Sequence, residues 1–175
     1  DLQKKLKEEE EYYENRIKVL TQLTASELTE EDKKELVIQK PMVLVNPLSL
    51  GFGYIADLRY YALDLQDWKR ILDVAFRVRK RIFQKLTSYE EYYNLESYDC
   101  DDFSLVMSAI VVLIAKYLKL DYQLAFGMAW SLNHAFNIFI TSDNQIYIYE
   151  PQDGSIHSYP TSLEDYEIRE VWFMG

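Results

Sequence analysis

Apolar positions in the first 23 residues recur at helical spacing. Leu2, Leu6, Tyr13, Ile17, Leu20 and Leu23 fall roughly on one stripe, with charge elsewhere. Glu9 and Glu10 interrupt that stripe, which argues against a sustained coiled coil. TASE at 24–27 has the spacing of a capping box, and LTEEDKKELV after it predicts a short helix ending before Pro41. Residues 1–40 therefore read as a helical appendage, suited to packing, self-association or linkage to an upstream domain.

The pattern then shortens. MVLV (42–45) is a β-rich piece among prolines and glycines. Asp67 precedes an amphipathic helix over 68–86, whose apolar side is Trp68, Ile71, Leu72, Ala75, Val78, Ile82 and Phe83. Residues 87–99 form a polar, tyrosine-rich loop or short helix. Residues 101–118 are apolar on nearly every side, which predicts a central helix covered all round. Beyond it the period becomes two. YQLAFGMAW (122–130), HAFNIFI (134–140), QIYIYE (145–150) and YEIREVWFM (166–174) read as strands, with turns at TSDN and PQDG. The expected fold class is α+β: a central buried helix packed on an antiparallel sheet, in a domain over 41–175.

Composition narrows the partners. Hydrophobic residues make up 49% of the 175, enough for one real core. The net charge of −10 suits neither phosphate backbones nor anionic lipid, so no nucleic acid and no membrane are expected as partners. The basic run RVRKRIFQK (77–85) spreads around its helix and reads as a solvated face. A single cysteine excludes an internal disulfide and fits a reducing compartment such as the cytoplasm, or a virion. The longest apolar stretch, 103–115, falls short of the roughly 20 residues of a membrane span. The chain opens in a charged helical segment, with no secretory signal pattern.

That cysteine, Cys100, sits at the start of the central helix in SYDCDDFS. Helix-terminal N–H groups and the dipole favour a thiolate there, and could hold an oxyanion. A base is needed, and the histidines are His134 and His157. If 134–140 and 145–150 pair as one hairpin, His134 lies beside Glu150, which gives a Cys–His–acid order along the chain. Each residue also has a plainer role. Cys100 could be a small buried hydrophobe, His134 a satisfied strand residue and Glu150 a strand end, while His157 reads as surface. Asn137 falls opposite His134 by alternation and receives no role. Asp99, Asp101 and Asp102 suit a helix start, but their charge works against a thiolate.

DCDDF, NHAFN and EPQDG together resemble the papain-like and transglutaminase-like cysteine enzymes. They are most similar to the papain-like C-terminal domain of fungal agglutinins and related bacterial and phage proteins. The resemblance covers about 54–154. It implies a papain-like fold with Cys100 as nucleophile, His134 as general base and Glu150 as its orienting partner. The implied activity is a cysteine hydrolase (peptidase or amidase, a thiol protease) working through an acyl-enzyme on a peptide or protein. Transglutaminase-type transfer stays open. The resemblance also brings calcium into view. The sequence has no EF-hand-like loop, however, and the expectation is that no cofactor is required. The competing reading is a non-catalytic structural or interaction protein, part of a viral or other assembly, that keeps the fold.

Overall fold

The computed structural model describes residues 2–50 and 54–173. The side chains of Tyr13, Ile17, Leu20 and Leu23, and residue Met174 of the expected last strand, lie outside the described residues. Helix α1 (Leu2–Ser26) ends within TASE, so no helix starts there. The capping box falls one step later, at α2 (Glu30–Glu35). The Thr29 hydroxyl accepts the Asp32 N–H at 3.0 Å, and the Asp32 carboxylate accepts the Thr29 N–H at 3.1 Å. The shift has a structural cause, since Asp32 is 1% exposed and also bonds to Arg77 and Arg81 of helix α3 (Leu65–Thr87). Burial pushes the Asp32 carboxyl up, but the Thr29 N–H and the two guanidiniums together hold it below the ordinary range. Leu28 and Leu36 are buried in the core, so α2 is docked against α3.

The N-cap of α3 is Asp64, whose carboxylate accepts the Gln66 N–H at 2.9 Å. Asp67 lies inside the helix, fully buried. It accepts the Gln39 and Lys40 N–H groups at 3.1 and 2.9 Å and so ties the 36–40 segment to α3. Of the expected face, Ile82 and Phe83 are only half-buried, whereas Trp68, Ile71, Leu72, Ala75 and Val78 are wholly buried, as is Val74. Each large one contributes about 1.5–3 kcal/mol. The Trp68 indole N–H donates to the Ile140 carbonyl at 2.9 Å, joining α3 to the sheet.

Strands β1 (Val43–Val45) and β3 (Tyr60–Ala62) pair antiparallel as a separate ribbon. The main sheet has the order β2 (Tyr54–Ile55), β8 (Glu170–Phe173), β4 (Phe126–Trp130), β5 (Ala135–Ile140), β6 (Ile146–Tyr149), β7 (Ile156–Ser158). It is antiparallel except at its edge, where β2 runs parallel to β8. The expected all-antiparallel sheet is corrected there. Beyond Thr87, which ends α3, the Tyr-rich segment 88–99 holds no helix, and an Asn94–Tyr98 bridge closes it. Helix α4 (Cys100–Tyr117) packs on the sheet and against α1. Its covering is one-sided, contrary to the expectation from its composition. Phe103, Met107, Ile110, Val111 and Ile114 are buried, while Leu105 is 50% exposed at an apolar groove of about 340 Å³ shared with Met128 and Trp172. Gly127 in β4 permits close strand packing, because a Cβ there would meet the Trp172 carbonyl oxygen at 2.7 Å. The architecture is α+β, and no described helix is long and apolar enough to cross a membrane.

Candidate functional site

His134 immediately precedes β5, and Glu150 immediately follows β6. The β5–β6 register sets Asn137 opposite Tyr149, so Phe136 opposes Glu150 and His134 is Glu150's diagonal neighbour. The side chains meet: His134 Nε2 lies 2.6 Å from Glu150 Oε2. The hairpin turn and the strand alternation bring the two residues side by side. The turn after Glu150 fixes the carboxylate. The Gly154 N–H donates to the Glu150 carbonyl at 2.8 Å, and the Gln152 N–H to Glu150 Oε1 at 3.1 Å. Gly154 has φ +78°, which favours glycine.

Tyr166 completes the set. Its hydroxyl donates to Glu150 Oε2 at 3.0 Å, and its ring lies 5.8 Å from that of His134 and 5.1 Å from that of His157. The Glu150 hydrogen bond raises the His134 pKa above the ordinary value. Burial opposes that rise, and Glu150 and Asp165 charges reinforce it. Burial first, and then the Glu150 charge, push the Tyr166 phenol well up. An open pocket of about 440 Å³ lies over the pair, lined by Asn133, Gln152, Asp153, Asp165 and Tyr166. The sequence reading places Tyr166 at the start of the last strand and gives it no role; it sits instead in a short 3₁₀ turn (Glu164–Tyr166), and the strand begins at Glu170. Gln152 and Asp153 lay within a recognised turn signal that carries no hint of a pocket wall.

Cys100 begins α4 and is half-buried, as placed from the sequence. No hydrogen bond joins its thiol to His134, and it does not line the His134 pocket. The pleat turns successive β5 side chains to alternate faces. Asn137 turns to α4, donating from Nδ2 to the Ser104 carbonyl at 3.0 Å and the Ser108 hydroxyl at 3.1 Å. Phe136 and Glu150 lie on the opposite face. The acids beside Cys100 cap the helix, with Asp102 accepting the Asp99 N–H at 3.2 Å. The Asp101 hydrogen bond raises the Asp99 pKa. Donor atoms of Asp99, Cys100 and Asp101 lie within 4.8 Å of one another. Calcium takes roughly six to eight oxygen ligands, and two carboxylates beside a thiol do not supply that set.

A search of curated proteins finds no match. The model of the family described as Agglutinin C-terminal matches residues 73–156. Among solved structures, the chain is similar to a Polyporus squamosus lectin bound to the human-type influenza-binding epitope Neu5Aca2-6Galb1-4GlcNAc. The identity there is 20%, the TM-score 0.54, and the match covers 77% of this chain and 50% of that one. It is also similar to the chain of a PSL1a–E64 complex at 21% identity and TM-score 0.51, covering 70% and 42% respectively. The chain thus spans half or less of the length of these neighbours, and the likeness is one of fold. These findings overturn the cysteine-protease and transglutaminase-like labels suggested by the sequence, since what matches is described as agglutinin and lectin. The link to the agglutinins is supported over a segment, 73–156, that contains Cys100, His134 and Glu150.

Proposed function

We propose that this chain is a non-catalytic interaction domain of agglutinin type that binds carbohydrate in the pocket over His134 and Glu150. The observation that carries this reading is Glu150 Oε2. It is held by both His134 and Tyr166 in a carboxylate 6% exposed, so the pocket is fixed before a ligand arrives. Asn133 and Gln152 offer amides, Asp153 and Asp165 offer carboxylates, and Tyr166 offers a ring edge. Such groups satisfy sugar hydroxyls, which bring both donors and acceptors. The lectin among the structural neighbours supports a glycan over a peptide as the partner. Cys100 serves as a structural thiol at the start of α4.

A shallow polar pocket gives weak binding per site, at about 1 mM or about −4 kcal/mol. Useful avidity then needs more than one site. Helix α1, with Leu2 74% and Leu6 56% exposed, is the element through which copies or an upstream domain would join. Saturation-transfer NMR with a panel of neutral and sialylated oligosaccharides tests the reading. Transfer is expected for wild type and Cys100→Ala, and is expected to vanish in Tyr166→Ala. Absence of transfer for every glycan at millimolar concentration overturns it.

A further inference from the structure

We infer that Arg79 is the positioning residue of the His134–Glu150 pocket, and that it couples that pocket to the tyrosine-rich loop 88–99. Arg79 is 1% exposed, on the buried face of α3. Its Nε and Nη2 atoms fork onto the Glu91 carboxylate at 2.8–3.1 Å, and Glu91 belongs to the loop. Its Nη1 donates to the carbonyl of Pro151, the residue next to Glu150. Phe76 of α3 and Phe103 of α4 flank the guanidinium, with ring centroids 4.8 and 5.0 Å from Cζ. On the loop side, the Tyr98 hydroxyl donates to Glu91 Oε2 at 2.8 Å, and the Tyr98 ring lies 4.4 Å from that of Phe103. One cation therefore joins α3, the loop, α4 and the turn that aims Glu150.

Packing alone does not call for this arrangement. Apolar side chains of similar volume commonly replace a buried ion pair without loss of stability. An apolar side chain cannot donate to the Pro151 carbonyl, whereas the guanidinium can, with its remaining donors neutralised by the loop carboxylate. The Pro151 peptide is thereby fixed, and with it the Glu150 carboxylate that holds His134 and Tyr166. Disturbing the loop at Tyr98 should be felt at His134 through this chain of contacts, which is coupling with a physical carrier.

The inference rests on reading the His134–Glu150 pocket as a binding site, and its test needs no ligand. Labelled His134 is titrated by the shift of its ring Cε1 in wild type, Arg79→Lys, Tyr98→Phe and the control Glu35→Gln. The first two variants conserve charge, so a change in midpoint reports geometry. Arg79→Lys should lower the midpoint toward the ordinary value of about 6.5. Tyr98→Phe should lower it less, and Glu35→Gln should leave it unchanged. An unchanged midpoint in folded Arg79→Lys overturns the inference. If Arg79→Lys does not fold, an unchanged midpoint in Tyr98→Phe does so. Failure to bind any glycan would remove the carbohydrate reading and leave the titration result standing.

Discussion

Asn137 lies at the join between the sheet and the helix that carries Cys100. It is fully buried, and its Nδ2 serves the Ser104 carbonyl, the Ser108 hydroxyl and the Gly127 carbonyl at 3.0–3.2 Å. Its Oδ1 has no partner among the described residues. Asn137→Ala removes these bonds at about 1 kcal/mol each and leaves a small cavity. The unpartnered oxygen was itself a cost of about 1–3 kcal/mol, and its removal offsets part of the loss. The expected net destabilisation is about 2 kcal/mol, or roughly 4–8 °C in Tm for a chain of this size. Asn137→Asp should be worse at neutral pH, because it sets a carboxylate against three oxygens. The carboxyl is then held protonated, with its folded pKa above the unfolded value of about 3.9. A group shifted that way is best tolerated at low pH, and its cost grows as pH rises toward the folded pKa. Guanidinium unfolding of both variants at pH 5 and pH 8 provides the measurement. Equal midpoints for the two variants at both pH values would refute the assignment of Asn137 as donor to α4.

Two further outcomes follow from the same contacts. Gly127→Ala should be strongly destabilising, because its Cβ meets backbone at 2.7 Å and β4 and β8 must part to admit it; thermal unfolding checks this, and a change within 1 °C (about 0.3 kcal/mol) would count against the register. His134 is raised in the folded state, so its pairing with Glu150 stabilises fully below about pH 6.5 and fades as pH rises through the folded value. The Tm advantage of wild type over Glu150→Gln should therefore shrink between about pH 6 and pH 9, and a difference independent of pH would contradict the pair.

What the residues disclosed depended on whether chemistry or contact decided the outcome. The α3 face and the β5–β6 hairpin were legible because period and turn residues carry them. With the hairpin came the meeting of His134 and Glu150. The start of α2 was misplaced by one capping box, since Thr29 wins through a tertiary partner, the Asp32 carboxylate bound to α3. Asp67 looked like a helix lead-in, and its true role depends on Gln39 and Lys40, far away in sequence. Asn137 was set aside by alternation, correctly opposite His134, yet its partners on α4 could not be seen from the strand alone. Arg79 lies in the basic run 77–85 that reads as a solvated face, yet it is 1% exposed, and Tyr166 reads as a strand start, yet it lies in a 3₁₀ turn; each matters through a group brought near by the fold. The motif around Cys100 was the easiest to see and suggested a protease.

The central claim is that the fixed pocket over Glu150 takes a glycan and that Cys100 does not act on it. Binding of the panel to wild type, Glu150→Gln and Cys100→Ala, read side by side by saturation transfer, tests that claim most directly. The account predicts contact in wild type and Cys100→Ala and its loss in Glu150→Gln with the fold intact. Equal transfer in Glu150→Gln and wild type, or cleavage of an amide substrate that disappears in Cys100→Ala, would contradict it.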